Sequence, residues 1–228
     1  MSVENSQIDP VVIVSAKRTA MGGFMGALSS VNATDLGATA IKSSIESCNL
    51  NVDMIDEVIM GCVLPAGLGQ APARQAMIKA GLNLATGATT INKVCGSGLK
   101  AAMLAHDLIK ADSINVAVAG GMESMSNAPY FLPKARGGFR MGHGEIKDHM
   151  MADGLEDAYD NKAMGCFAQE TADKYGLTRD DMDAFAISSL SKANAAIESG
   201  AFEGEIAPHT YSTRKGDVTV AIDEQPGN

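Results

Sequence analysis

Positive charge is scarce in this sequence. Its 228 residues include 18 lysines and arginines against 27 aspartates and glutamates, which gives a formal net charge of -9. The basic residues form no concentrated stripe, so the charge argues against a nucleic-acid-binding protein and against binding to an anionic membrane surface. A single anionic ligand stays possible, because the N-terminus of a helix can bind phosphate even in an acidic protein.

Long apolar runs and paired cysteines are also missing. No segment reaches the ~20 apolar residues that a membrane-spanning helix needs. Residues 1–10 have neither the basic start nor the apolar centre of a secretory signal, which predicts that no signal peptide is present. The cysteines form no Cys-x-x-Cys pair and no zinc-ligand spacing, which predicts free thiols, no metal site and a reducing, cytoplasmic location. They are Cys48, Cys62, Cys95 and Cys166.

Strand-like and helix-like segments alternate through the first half of the chain. Short β-branched runs predict strands, and apolar residues at helical spacing between them predict helices. The predicted strands are residues 11–16, 57–64, 89–94 and 114–119, and the predicted helices are residues 35–48, 71–80 and 98–111. This order predicts the α/β class, with a doubly wound, mostly parallel sheet that has helices on both faces.

The pattern changes after Gly120-Gly121. Residues 122–165 are rich in Met, Gly and Pro, show little periodicity and predict a long loop or an inserted subdomain. Two helices are predicted at 164–175 and 179–199, the second with Thr178 and Asp181 in capping-box spacing. A hairpin of strands 206–212 and 217–222 follows, which turns around Lys215-Gly216. We therefore predict two units, an α/β domain of residues 1–122 and a helical and loop subdomain of residues 123–228.

The segment from Ile91 to Lys100 carries the clearest chemical signal. It places Cys95 after a predicted strand and directly before a predicted helix. Ligands of open α/β sheets bind outside the carboxyl ends of the strands, and a helix N-terminus stabilises negative charge. Gly96 and Gly98 allow a tight turn and a close approach by a ligand. This placement suits a cysteine nucleophile.

Two other interpretations fit the same residues. Free cysteine is among the most buried residue types, so Cys95 could be a small core residue. The spacing Gly96-x-Gly98-x-x-Ala101 also matches a dinucleotide-binding fingerprint, as in a dehydrogenase. That fingerprint is weak here, because it follows the third predicted strand and because Glu123 lies too far along the chain for the ribose-binding acid.

Residues 92–99, Asn-Lys-Val-Cys-Gly-Ser-Gly-Leu, resemble the acyl-binding cysteine motif of the thiolases, the acetyl-CoA acetyltransferase family. The resemblance extends along the whole chain. Further segments that are similar to family motifs are residues 10–19, Gly22-Gly23-Phe24, Pro72-Ala73-Arg74-Gln75, residues 120–126, Arg136-Gly137-Gly138 with Met141-Gly142, Asp153-Gly154-Leu155 and Met164-Gly165.

The resemblance implies a thiolase-like fold and acyl transfer by thioester exchange and Claisen condensation. Cys95 would take an acyl group from one acyl-CoA, and a second acetyl-CoA would attack it to give a 3-ketoacyl-CoA, with thiolysis as the reverse. Leu155 and Met164 would line the acyl and pantetheine path, although ordinary core packing would also explain them. The resemblance implies coenzyme A thioesters as substrates, no separate cofactor, and a homodimer or homotetramer, with residues 136–142 in the tetramer contact.

The resemblance also implies parts that these 228 residues do not contain. The 228 residues hold no Gly-His-Pro, Cys-x-Gly-Gly or Asn-Glu-Ala segment. In the family these segments supply the general base, the second catalytic cysteine and an oxyanion site. We therefore expect an N-terminal portion, with the last strand of the first sheet and the C-terminal half absent and with no condensation by this chain alone. Ala163 stands where many members carry a histidine, so the resemblance does not fix the acyl chain length. The arginine that in many members follows the terminal hairpin and meets the CoA nucleotide is not found in Gln225-Pro226-Gly227, so the nucleotide contacts are not assigned. The rival hypothesis is a non-catalytic thiolase-like binding or assembly module.

Overall fold

A computed structural model describes residues 10–227 of the chain. The helices in that range are α1 (Ala33–Ser47), α2 (Pro72–Lys79), α3 (Ser97–Lys110), α4 (Met164–Tyr175) and α5 (Arg179–Glu198). The strands are β1 (Glu57–Gly61), β2 (Gly87–Ile91), β3 (Ala117–Gly121), β4 (Tyr130–Phe131), β5 (Lys147–Asp148), β6 (His209–Thr213) and β7 (Gly216–Val220). None of these helices is long and apolar enough to cross a membrane.

A parallel sheet forms the centre of the first half. Its strand order is β2-β1-β3, and Val58 of β1 lies opposite Ala88 of β2 and Val118 of β3. Helix α2 connects β1 to β2, and α3 connects β2 to β3. The predicted α/β class with parallel strands is confirmed, and each strand ends at the same edge of the sheet.

Alternate residues of β1 pack against different helices. Val58 and Met60 are buried in a cluster with Ile41 of α1 and Met77 of α2. Ile59 points the other way and is buried against α3. Because side chains alternate across a strand, this packing places α1 and α2 on one face of the sheet and α3 on the other. The predicted doubly wound arrangement is therefore confirmed.

The predicted strand at residues 11–16 is wrong for the described structure. The segment has no strand pairing, and Val12, Ile13 and Val14 are exposed. A cleft of about 510 Å³ separates the segment from the outer edge of β3, with Val118 and Ala119 on its far wall. The β-branched pattern describes a strand-forming segment correctly, but a strand also needs a backbone partner within hydrogen-bonding distance.

The second half contains the predicted helices and hairpin. Helix α4 has the predicted bounds, and α5 begins with the predicted capping box, in which Thr178 and Asp181 bond each other's backbone N–H groups. Strands β6 and β7 pair antiparallel, as predicted, with Thr213 opposite Gly216 at the turn.

The β6–β7 hairpin and the residues after it pack against the start of the described chain. The Tyr211 hydroxyl donates a hydrogen bond to the carbonyl oxygen of Ala27 at 2.6 Å. The Arg18 guanidinium pairs with the buried Asp223 carboxylate at 2.7 Å. A division near residue 122 stays a prediction, and the hairpin contacts the segment before α1. The prediction that no signal peptide is present rests on residues 1–10, and residues 1–9 of that segment lie outside the described residues.

Candidate active site

The three parallel strands end in three loops at one edge of the sheet. Cys62 follows β1, Asn92 follows β2 and Met122 follows β3. The side-chain N–H of Asn92 donates to the carbonyl oxygen of Val63 at 3.4 Å, which joins the first two loops. This edge is where an open α/β sheet binds its ligands, and it contains the cysteine that the sequence singles out.

Helix α3 begins unusually close to this edge. A Cβ atom on Gly61 would lie 2.4 Å from the Cβ of Ser97 and 3.0 Å from the backbone nitrogen of Gly98. The backbone of Gly98 in turn lies against Gly120 and Gly121 of β3. Glycine at position 61 is therefore explained by the packing of the helix on the strand.

A strained turn presents Cys95. Val94 has a φ of +49°, in the left-handed region that β-branched residues rarely adopt. Its N–H donates to the Asn92 side chain at 2.8 Å, and its carbonyl oxygen accepts from the Ser97 hydroxyl at 2.6 Å. The Ser97 hydroxyl also accepts from the N–H of Lys93 at 2.8 Å. These three hydrogen bonds hold the turn in a conformation that would otherwise cost about 1–2 kcal/mol.

Cys95 and Cys62 lie in opposite environments. Cys95 is exposed at the start of α3, so the interpretation as a core residue is wrong for this cysteine. Cys62 is the buried cysteine at this edge of the sheet. Burial, with a smaller contribution from the nearby Glu123 carboxylate, raises the pKa of the Cys62 thiol to about 11. A thiol in that state is a poor nucleophile at neutral pH, which leaves Cys95 as the accessible thiol here.

Glu123 holds the loop after β1. Its carboxylate accepts hydrogen bonds from the N–H of Val63 at 2.8 Å and from the N–H of Leu64 at 3.1 Å. The sequence suggested Glu123 only as a ribose-binding acid that lies too far along the chain from the Gly96-x-Gly98 fingerprint. Its observed role is to fix the loop that lies beside the cysteine turn. Its position two residues after the strand exit Gly120-Gly121 was the one signal that could have found it.

Leu155 and Met164 are the chain neighbours of an antiparallel bridge. Glu156 pairs with Ala163, and Leu155 precedes Glu156 while Met164 follows Ala163. Leu155 is half-buried and Met164 is exposed. Leu155 follows Gly154, whose Cβ position would lie 3.4 Å from the side chain of Leu64 in the loop after β1. This contact connects the pair to the edge of the sheet that carries Cys95.

A large cleft in the second half of the chain does not include the cysteine. It has a volume of about 720 Å³. Its lining includes Phe131, Phe139 and Glu156, and neither Cys95, Leu155 nor Met164. None of the three predicted site residues lines this cleft.

Comparison with known proteins identifies a single family. A family model described as "Thiolase, N-terminal domain" matches residues 11–228. The acetyl-CoA acetyltransferase of Pseudomonas aeruginosa is 52% identical over 217 residues, which are 95% of this chain and 55% of the relative. The acetyl-CoA acetyltransferase of Escherichia coli is 52% identical over 216 residues, with 94% and 55% of the two chains covered.

A plant relative is similar over the full chain. Acetyl-CoA acetyltransferase 2 of Arabidopsis thaliana is 44% identical over 229 aligned residues, which cover 100% of this chain and 57% of the relative. The chain thus spans about half the length of the curated relatives it matches.

Proposed function

The chain belongs to the thiolase family, and we propose that it supplies the acyl-accepting part of an acetyl-CoA acetyltransferase. The observation that carries the proposal is the exposed Cys95 thiol, presented by the strained turn at the start of α3. The relatives named acetyl-CoA acetyltransferase support the choice of acetyl-CoA as the donor.

The acyl transfer proceeds by thioester exchange. The Cys95 thiolate attacks the carbonyl carbon of acetyl-CoA, a new C–S bond forms, and the C–S bond to coenzyme A breaks as the coenzyme A thiolate leaves. The first turn of α3 points N–H groups toward charge that develops at its start, which stabilises the oxyanion of the intermediate. One thioester replaces another, so the step is nearly balanced in energy and runs in both directions.

The acetyl group on Cys95 is the electrophile for a Claisen condensation. A second acetyl-CoA, deprotonated at its α-carbon, attacks the acetyl carbonyl, and the Cys95 thiolate leaves as acetoacetyl-CoA forms. Thiolysis of a 3-ketoacyl-CoA is the reverse. The proton transfers of this step belong to the Gly-His-Pro and Cys-x-Gly-Gly segments implied by the family resemblance. Those segments are outside these 228 residues, so our proposal for this chain is the first half-reaction.

Leu155 and Met164 are our proposed contacts for the acyl and pantetheine part of the substrate. Their places next to the Glu156–Ala163 bridge and the packing of Gly154 on Leu64 support this role. We further propose that coenzyme A thioesters are the substrates and that no separate cofactor takes part.

The proposed assembly is a homo-oligomer in the cytoplasm. Residues 136–142, the segment that resembles a tetramer contact, are exposed. The outer edge of β2 pairs with no strand among residues 10–227, which leaves a backbone edge for a second copy. The four cysteines are free thiols, which favours a reducing compartment.

Intact-mass spectrometry after incubation with acetyl-CoA tests the proposal. We expect one acetyl group on the unaltered chain, no adduct on Cys95→Ser, and an unchanged adduct on Cys166→Ser. Cys166 is a suitable control because it is the other exposed cysteine. An adduct that survives Cys95→Ser would overturn the assignment. No adduct, even in a protein that includes the Gly-His-Pro and Cys-x-Gly-Gly segments, would favour a non-catalytic binding or assembly module.

A further inference from the structure

His149 is a buried polar side chain that the proposed acyl transfer does not use. His149 directly follows β5, and its side chain is 8% exposed. The backbone N–H of His149 donates to the carbonyl oxygen of Pro129 at 3.1 Å, and its ring packs edge-on against Phe131. A polar ring is buried at a cost unless its nitrogen atoms have hydrogen-bond partners.

Both ring nitrogen atoms of His149 have partners. The N–H of Ala66 points at Nε2 from 3.4 Å, and the carboxylate of Asp153 lies 2.6 Å from Nδ1. Because Nε2 accepts from an N–H group, the ring proton must lie on Nδ1, where it is donated to Asp153. One neutral tautomer therefore satisfies both bonds, and the ring joins the loop after β1 to the segment that contains Asp153.

The Asp153 bond acts on the segment that carries Leu155. Residues Met151–Leu155 form a wide helical turn. Glu156 closes it with a hydrogen bond from its N–H to the carbonyl oxygen of Met151 at 2.9 Å. Asp153 lies at the centre of this turn, two residues before Leu155. A restraint on the Asp153 carboxylate is therefore a restraint on the placement of Leu155.

The Ala66 bond connects the same ring to the cysteine. Ala66 lies in the loop after β1, which Glu123 holds through the N–H groups of Val63 and Leu64. Asn92 bonds both Val63 and Val94, so the loop is joined to the turn that presents Cys95. The cysteine turn is thus joined by hydrogen bonds to Val63, the backbone of residues 63–66 continues to Ala66, and hydrogen bonds join Ala66 through His149 to Asp153.

We infer that His149 is a positioning residue that, through Asp153, sets where Leu155 lies relative to Cys95. The inference rests on the proposed function, since it assigns His149 to the binding of the acyl and pantetheine part of the substrate. His149 itself touches neither the reacting thiol nor its acyl group. Its loss therefore weakens substrate binding and leaves the chemistry of Cys95 unchanged.

Two substitutions separate the two bonds of the ring. In His149→Asn the amide N–H2 takes the place of Nδ1, which retains the bond to Asp153 and loses the bond to Ala66. In His149→Gln the longer amide reaches toward Ala66 and loses Asp153. Asp153→Ala removes the same bond from the other side, at a position that is 55% exposed and tolerates change.

The experiment follows acetylation of Cys95 in the full chain at increasing acetyl-CoA concentrations. We expect His149→Gln and Asp153→Ala to raise the half-saturating concentration about tenfold, with plateau rates within about twofold of the unaltered chain. We expect His149→Asn to stay within about twofold in both quantities, because the backbone bond from His149 to Pro129 holds this residue in place without the Ala66 bond. The double variant His149→Gln/Asp153→Ala should have a half-saturating concentration no higher than that of either single variant, because both changes remove the same bond between His149 and Asp153.

His209→Gln is the matched control, because it alters another buried histidine, whose ring bonds Thr39. It should leave the half-saturating concentration unchanged. An unchanged value for His149→Gln and Asp153→Ala, or equal weakening by His149→Asn and His149→Gln, would overturn the inference.

Hydrogen exchange gives a readout that does not depend on acetylation. In His149→Gln and Asp153→Ala, the amides of residues 151–156 should exchange faster, and in His149→Asn they should match the unaltered chain. Exchange that is unchanged in all variants contradicts the positioning role. If exchange changes as expected but the unaltered chain takes up no acetyl group, the proposed function fails while the structural link from His149 to Asp153 stands.

Discussion

The hydroxyl of Ser97 donates a hydrogen bond to the carbonyl oxygen of Val94 at 2.6 Å. Ser97 is buried, and Val94 is the residue with the left-handed backbone directly before the cysteine. The bond therefore restrains the orientation of Cys95 from the first turn of α3. Val94, directly before the cysteine, has the strained backbone, and Ser97, two positions after the cysteine, holds it in that conformation.

This relationship predicts a rescue between two substitutions. Ser97→Ala should slow acetylation of Cys95 about tenfold at saturating acetyl-CoA, because the turn relaxes and moves the thiol. Glycine adopts a positive φ without strain, so the turn of a Val94→Gly protein has nothing to relax. The double variant Val94→Gly/Ser97→Ala should acetylate within about threefold of the unaltered chain. Equal slowing by Ser97→Ala in both backgrounds would show that the strain of Val94 does not matter.

Thiol reactivity should differ among the cysteines. Cys95 and Cys166 are exposed and should react with iodoacetamide at pH 7, while Cys62 should not. Because the pKa of Cys62 is raised to about 11, chiefly by burial, Cys62 should react only near that pH or on unfolding. Peptide-level mass spectrometry resolves the sites. Rapid modification of Cys62 in the folded protein at pH 7 would contradict the burial of this thiol.

The Arg18–Asp223 pair should stabilise the protein at neutral pH. Asp223 is buried, and its hydrogen bonds from Arg18 lower the pKa of its carboxyl group below the ordinary value. A folded-state pKa below the unfolded value adds stability above about pH 4, and that stability is lost as the pH falls through the folded-state pKa. Asp223→Asn should therefore lower the free energy of unfolding by about 2 kcal/mol at pH 7.

Urea titrations between pH 7 and acid pH measure this difference. The gap between the unaltered chain and Asp223→Asn should narrow as the pH falls below about 4. Asp183→Asn is the matched control, since its partner Arg179 and Asp183 itself are 82% and 51% exposed. It should cost less than about 0.5 kcal/mol. A gap that is independent of pH would contradict the ion pair.

The contact between Gly61 and α3 predicts a sharp steric limit. A Cβ at position 61 would lie 2.8 Å from the backbone carbon of Ser97, so Gly61→Ala must move the helix or the strand. We expect a loss of about 3 kcal/mol in the free energy of unfolding. Gly137→Ala, whose Cβ would meet nothing within 4 Å, should stay within about 0.5 kcal/mol. Equal melting temperatures for the two variants would show that α3 does not begin at this distance.

The sequence predicted the elements of the fold well where a single segment determines its own structure. Helix α4 has its predicted bounds, and the capping box of Thr178 and Asp181 starts α5. Both depend on local spacing and local hydrogen bonds. Residues 11–16 have the composition of a strand but form none in the described structure, and strand pairing is not a local property.

The site was only partly predictable. The strand, cysteine and glycine order placed Cys95 at the ligand-binding edge of the sheet. The family resemblance then singled it out as the candidate nucleophile, and that role stays a prediction. The strain at Val94 could not be read from sequence, since valine normally avoids that conformation. The link from His149 to Ala66 joins residues 83 positions apart, and no spacing rule connects them.

The most direct test of the account is the return of the acetyl group to coenzyme A. The chain is incubated with acetyl-CoA, freed of small molecules, and divided between buffer, coenzyme A and neutral hydroxylamine. A thioester on Cys95 predicts that coenzyme A restores the original mass and yields acetyl-CoA, and that hydroxylamine removes the group. An adduct that resists both reagents, or that maps to any residue other than Cys95, would contradict acyl transfer through Cys95.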